Sequence, residues 1–147
     1  MRTTLETVFN QKGRQVWSVT PGTTVHEAIQ MMTEKRVEAL LVLAHGRLAG
    51  ILTERDCARR VTLDGKDPRS VCASDVMTSP VVFVTKAHTV GDCLAILSKG
   101  GFAHLPVLDG DQVDGVVSMG DLVNSIVREQ DQALSHLEGY ITGRYPA

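Results

Sequence analysis

Apolar positions along this chain recur at two periods, one helical and one extended, and the order in which the periods follow one another is repeated. Leu5, Val8 and Phe9 lie at helical spacing until Gly13 breaks the pattern, which predicts a short N-terminal helix over residues 2–12. Val16-Trp17-Ser18-Val19 reads as a strand ended by the turn signal Thr20-Pro21-Gly22. Thr24 heads a helix with Val25, Ala28, Ile29 and Met32 on one face, and Glu27 completes a capping-box signature. Leu40–Leu43 is an uninterrupted apolar run, as in a strand buried on both faces, and Ala44-His45-Gly46-Arg47 turns it into a second strand, Leu48–Thr53. A helix is expected from Glu54 to about Val61. The unit is β-α-β-β-α, with a crossover between the first two strands and a hairpin between the next two.

The same order then returns. Val81–Val84, Val90–Lys99, Leu105–Leu108, Val113–Ser118 and a helix from Asp121 onward fill the matching slots, with Asp109-Gly110-Asp111-Gln112 as the hairpin turn. Sliding Val16–Val61 onto Val81–Ile126, 65 residues on, needs no gap and leaves 10 identities in 46 positions. Val16, Val19, Thr20, Thr24, Val25, Leu40, Val42, Leu43, Gly50 and Asp56 recur, and pairs such as Thr53/Ser118 and Leu48/Val113 keep their character. A unit this long, present twice, is a duplicated supersecondary unit whose halves share a core. The fold class expected is α+β: two β-α-β-β-α repeats related by a pseudo-two-fold, with flanking N- and C-terminal helices.

The expected boundaries are 1–15 for the N-terminal helix, 16–61 and 76–127 for the repeats, and 128–147 for a C-terminal helical extension. Asp64-Gly65, Pro68 and mixed charges without periodicity mark 62–75 as a connecting loop. Beyond the second repeat, Leu134, Leu137 and Ile141 prolong the helical pattern of Val123, Ile126 and Val127. With Leu5, Val8 and Phe9 they are expected to offer an apolar surface to a second chain.

At 147 residues and 43% hydrophobic composition the chain can form one compact domain, or two half-sized units fused through a common interface. Cysteines 57, 72 and 93 show no metal-ligand spacing, and an odd count without a signal peptide predicts a reducing compartment, the cytoplasm. The longest apolar run, Ala39–Ala44, is far short of the ~20 residues of a membrane span. Fifteen basic against 17 acidic residues, with no basic stripe and 4% aromatics, exclude a nucleic-acid partner at this level. Small ligands and other protein chains remain.

Chemistry concentrates at two helix starts, Gly50-Ile51-Leu52-Thr53-Glu54-Arg55-Asp56 and Gly115-Val116-Val117-Ser118-Met119-Gly120-Asp121. Each sets a hydroxyl at a strand end and a carboxylate three residues on. As capping boxes they need do no more than satisfy orphan backbone N–H groups, and Thr89/Asp92 carries the same signature. Their duplication gives them weight. Arg55 and Arg59, at i and i+4, read as a solvated face, and Cys57 and Cys93 as small core residues. No Ser/His/Asp or Cys/His arrangement, paired acids or phosphate loop is recognisable, so an enzyme is not expected.

The duplicated unit, together with Thr53-Glu-Arg-Asp56, Val76-Met-Thr-Ser-Pro80, His104-Leu-Pro-Val107 and Ser118-Met-Gly-Asp121-Leu-Val, resembles a tandem pair of CBS domains, a Bateman module, over roughly residues 16–127. The flanking helices, including Leu137-Glu-Gly-Tyr-Ile141, are similar to those of small stand-alone bacterial CBS-pair proteins. The resemblance implies regulatory binding of an adenosine nucleotide (AMP, ADP or ATP, in some members NAD(H) or S-adenosylmethionine) in clefts between the repeats. It also implies a homodimer and a downstream protein that receives the signal.

Physically, a carboxylate at the third helical position can accept from both ribose hydroxyls, free N–H groups at the helix start favour phosphate, and apolar strands wall an adenine. Carried over, Asp121 holds the ribose, Ser118 lies near the phosphate, and Pro80–Val82 and Val116 lie near the base. Thr53 and Asp56, with Trp17, Val19 and Ala39, form the second cleft. Arg55, Thr78, Ala103, His104, Met119 and Gly120 complete the candidate set. Two positions depart from the family: Ala103 stands where arginine is frequent, and Glu38 where a small residue is. Both point to weaker phosphate binding or a less charged adenosyl ligand. The competing readings are an interaction module with empty clefts and, with less in its favour, an enzyme acting on a nucleotide.

Overall fold

The computed structural model describes residues 3–134, so Leu137 and Ile141 lie outside the described residues. Helix α1 (Leu5–Lys12) starts at Thr4, whose hydroxyl accepts from the Thr7 N–H, and stops at Gly13, whose φ of 91° suits glycine. Strand β1 (Ser18–Val19) runs parallel to β2 (Ala39–Ala44), which pairs antiparallel with β3 (Arg47–Thr53). Helix α2 (Val25–Lys35) makes the crossover, with Thr24 accepting from the Glu27 N–H at 3.1 Å. In the second repeat α5 (Val90–Gly100) precedes the antiparallel pair β4 (His104–Asp109) and β5 (Gln112–Ser118). The duplication extends to detail: the ladder shifts register between Val42 and Leu43 and again between Val107 and Leu108, 65 residues on.

The strand expected over Val81–Val84 does not form. Only Val84 makes a single parallel bridge, to Val107. The reason is Pro106. In the first repeat Leu41 donates its N–H to the Trp17 carbonyl at 3.2 Å, and the residue matching Leu41 is Pro106, which has no N–H to give.

The helix expected from Glu54 to Val61 is divided into α3 (Glu54–Cys57) and a π-helical turn, Ala58–Thr62, closed by the Leu63 N–H on the Ala58 carbonyl. The segment 62–75 is not simply a loop. Helix α4 (Ala73–Val76) forms within and beyond it, and Val71, Ala73 and Val76 are buried in the first repeat's core. Its start gave no recognisable signal, because a cysteine rather than Ser, Thr, Asp or Asn stands at the cap, with the Cys72 N–H on the Asp75 carboxylate at 3.2 Å. Arg60 of the π-helical turn ties the end of α4 by donating to the Val76 carbonyl at 3.0 Å.

Among the described residues two core clusters form, one per repeat. Leu5, Val8 and Phe9 are 0–2% exposed and pack with Val90, Leu97, Leu105 and Leu122, so α1 belongs to the second core although it precedes the first repeat. The part of the apolar surface that Leu5, Val8 and Phe9 were expected to offer a second chain is thus spent within the chain. Helix α1 and the C-cap residue of α4 press on equivalent glycines: a Cβ on Gly115 would fall 2.6 Å from the Phe9 ring, and one on Gly50 2.8 Å from Met77 Cγ. Cys93 is fully buried, as its apolar face suggested, and burial pushes its thiol up to about 11. The last helix, α6, spans Met119–Leu134.

Candidate functional site

The hairpin ends farthest from their turns position the site. Ala39 pairs with Thr53 and His104 with Ser118, while the Glu54 N–H reaches the Glu38 carbonyl at 3.0 Å and the Met119 N–H the Ala103 carbonyl at 2.8 Å. Residues 38–39 therefore sit beside the start of α3, and 103–104 beside the start of α6. The repeats touch through β3 and β5, and two clefts open beside that contact.

The first cleft, about 470 Å³, is lined by Trp17, Arg36, Glu38 and Ala39 of the first repeat and Val116, Ser118, Met119, Gly120 and Asp121 of the second, with Lys12 added from α1. The second, about 550 Å³, is lined by Thr78, Pro80, Val82 and Phe102 of the second repeat and Thr53, Arg55, Asp56 and Arg59 of the first. Both volumes suit a small organic ligand. Glu38, Ile51, Ala103 and His104 line both clefts.

This corrects the expected grouping. Pro80 and Val82 face Thr53 and Asp56, not Asp121, whereas Trp17 and Ala39 face Ser118 and Asp121. The repeats oppose each other, so the strand entry of each meets the helix start of the other. Val116 does share a cleft with Asp121 as expected. Val19 lines neither cleft; paired with Val42 inside β1, it is 6% exposed in the first core.

Each helix start is a complete capping box. The Ser118 N–H donates to Asp121 Oδ2 at 2.9 Å and the Asp121 N–H to Ser118 Oγ at 3.1 Å. The Thr53 N–H and Asp56 Oδ2 are 3.3 Å apart, the Asp56 N–H and Thr53 Oγ1 3.1 Å, and the Thr78 hydroxyl also reaches Asp56 Oδ2 at 3.5 Å. In both boxes the cap takes Oδ2. Among the described residues nothing donates to either Oδ1.

Lys12 was not among the candidates. Its Nζ lies 2.6 Å from Asp121 Oδ2 and 2.6 Å from the Val116 carbonyl oxygen. Nothing local in the sequence marks it, since only packing of α1 on the second core brings it there. Arg36 was also missed. It ends α2 at φ 57°, ψ 44°, a left-handed conformation that costs a non-glycine residue about 1–2 kcal/mol, and its equivalent in the second repeat is Gly101 at φ 70°. That pairing across the 65-residue offset was the available signal. Trp17 is held from one side by Lys35, whose Nζ lies 4.4 Å from the ring centroid.

Burial lowers the pKa of His104 below the ordinary 6.5; Glu38 and Asp121 oppose the shift and Lys12 adds to it. Arg55 and Arg59 are exposed, as expected of a solvated face, yet both border the second cleft. Burial, then Asp56 and Glu54, push the Cys57 thiol up to about 11. Among the described residues no group of His, Cys, Asp and Glu has metal-site geometry, and no helix is long and apolar enough to cross a membrane.

Paired α+β repeats with clefts between opposed strand entries and helix starts define a CBS pair. The chain belongs to the CBS-domain family, which matches residues 13–62 and 73–128. It is 33% identical to the mitochondrial CBS domain-containing protein CBSX3 of Arabidopsis thaliana, over 97% of this chain and 74% of that one. To the CBS domain-containing protein YhcV of Bacillus subtilis it is 34% identical, over 78% and 82%. A solved CBS-domain structure from Burkholderia ambifaria MC40-6 superposes with a TM-score of 0.83 at 37% identity, covering 87% of this chain and 96% of that one. A more distant structure, CBSX2 in complex with AMP, superposes with a TM-score of 0.67 at 22% identity, covering 78% and 90%.

Proposed function

We propose that the chain is a regulatory adenosine-nucleotide-binding CBS pair that passes its ligand state to a downstream protein. The observation that carries this reading is the matched construction of the clefts. Each opposes a helix-start carboxylate with an uncommitted oxygen to apolar walls from the other repeat. The complex of CBSX2 with AMP supports the ligand class.

Charge narrows the choice. The first cleft sets Lys12 and Arg36 against Glu38 and Asp121, and the second sets Arg55 and Arg59 against Glu38, Glu54 and Asp56. Among the described residues neither has cations to spare, and no arginine stands at Ala103, so AMP, NAD(H) or S-adenosylmethionine suits these clefts better than ADP or ATP. Assembly as a homodimer is part of the proposal. Val123 and Val127, a turn apart on α6 and 44% and 46% exposed, offer it an apolar face, and light scattering reporting a monomer mass at micromolar concentration would contradict it.

Calorimetric titration of ligand-free protein with AMP, ATP, NADH and S-adenosylmethionine tests the reading, with Trp17, the chain's single tryptophan, as a fluorescent reporter of the first cleft. Heat and a fluorescence change with at least one of them is expected. No response to any adenosyl compound favours an interaction module with empty clefts, and conversion of a nucleotide on long incubation favours an enzyme.

A further inference from the structure

The first cleft differs from the second in one contact that the duplication does not explain. Lys12 reaches it from α1, outside the repeat, and holds Asp121, whereas the residue 65 positions on is Met77. Among the described residues Asp56 has no ion-pair partner, and the side chain that reaches its carboxylate from across the second cleft is the Thr78 hydroxyl, at 3.5 Å. An ammonium carries three hydrogens. Two are accounted for by Asp121 Oδ2 and the Val116 carbonyl, while Asp121 Oδ1 accepts from nothing among the described residues. A donor and an acceptor are thus left side by side. A hydroxyl pair on adjacent carbons matches them, one hydroxyl donating to Oδ1 while an oxygen of the pair accepts from Nζ.

We propose that Lys12 is a specificity-determining residue of the first cleft, which with Asp121 selects ligands bearing an intact ribose 2′,3′-diol over their deoxy counterparts. The proposal rests on the adenosine-nucleotide reading and deepens it: Asp121 alone accepts from the diol, and Lys12 supplies the donor that makes losing either hydroxyl costly. Lys12 can do this without carrying the fold, because α1 is docked by Leu5, Val8 and Phe9 while the Lys12 side chain remains 30% exposed.

The test is titration of AMP, 2′-deoxy-AMP and 3′-deoxy-AMP into the wild type, Lys12→Met and Lys12→Arg, followed by Trp17 fluorescence so that only the first cleft is read. Lys12→Met matches the side-chain size and places there what the second repeat carries. The wild type should prefer AMP over at least one deoxy analogue by about 10- to 100-fold, the range for hydrogen bonds to charged groups. Lys12→Met should shrink that preference to within a few-fold, and Lys12→Arg, which keeps a cationic donor in reach, should retain most of it. Equal weakening of all three ligands by Lys12→Met, or an unchanged preference, overturns the inference while leaving nucleotide binding in place. Absence of any AMP response in the wild type defeats the functional reading first, and this inference with it. Melting temperatures recorded alongside show that Lys12→Met is folded.

Discussion

A carboxylate three residues into a helix serves two masters at once: Asp121 closes its cap through Oδ2 and lines the cleft with an Oδ1 that accepts from nothing among the described residues. Removing it therefore costs the cap as well as the ligand, and the two losses need separating. Asp121→Ala should weaken AMP binding in the first cleft by ~1.5–3 kcal/mol, the range for hydrogen bonds to a charged group. Asp92→Ala provides the control, since Asp92 takes the Thr89 N–H at 2.9 Å in a box of the same kind at the start of α5 but lines neither cleft. Its binding curve should match the wild type, and a comparable loss in both variants would mean that caps alone are being read. His104 gives a second residue-scale outcome. Burial depresses its folded-state pKa, so below about 6.5 the unfolded chain takes up a proton that the folded chain refuses. Its contribution to stability is complete above that pH, declines as the pH falls, and levels off once the folded imidazole titrates. Phosphate in either bordering cleft should raise the His104 pKa, and a two-dimensional NMR titration showing no change at saturating AMP would place the phosphate away from it. The capping boxes were legible because a hydroxyl and an acid three apart is a local signal; Lys12 was not, because its contact with Asp121 spans 109 residues and exists only through tertiary packing.

Among elements, hairpins and long helices were readable where sequence-local causes act alone. The β2–β3 and β4–β5 hairpins and α2 and α5 follow from apolar runs, turn residues and caps. Where a distant partner decides, the pattern misled. Val81–Val84 has the composition of a strand and is denied its ladder by Pro106, more than twenty residues away; α4 is too short for periodicity and is made by its burial against the first repeat. The exchanged seats of α1 and α4 predict unequal effects at the two matched glycines. Gly115→Ala drives a methyl into the Phe9 ring, a rigid obstacle, and should destabilise by about 1–3 kcal/mol. Gly50→Ala meets Met77, whose thioether can swing aside, so its cost should be smaller. Urea unfolding of both variants checks the order, and Phe9→Leu should recover part of the Gly115→Ala loss if the ring is the obstacle.

For the whole molecule, the duplication was visible in the sequence at its offset of 65 residues, but the way the halves face each other was not, because no spacing records an orientation. Opposed repeats give each cleft one wall from either half, and this makes the ligand a bridge. A bridging ligand favours the arrangement in which both walls are in place, and stabilises it by its differential affinity. At 100 times the dissociation constant one site gains about 2.7 kcal/mol. For a chain of this size that corresponds to a rise in melting temperature on the order of 2–4 °C per kcal/mol. Hydrogen exchange resolves what melting cannot. AMP in the first cleft should slow exchange together at residues 36–39 and 118–121, one segment from each repeat, and occupancy of the second should do so at 53–56 with 101–104. Lys12→Met should leave this pairing of segments intact, since it alters which ribose is preferred and not which walls meet. Protection confined to a single repeat, or linking 80–82 with 118–121, would show that the nucleotide does not span the opposed halves, and the coupling between binding and the relative placement of the repeats would have to be abandoned.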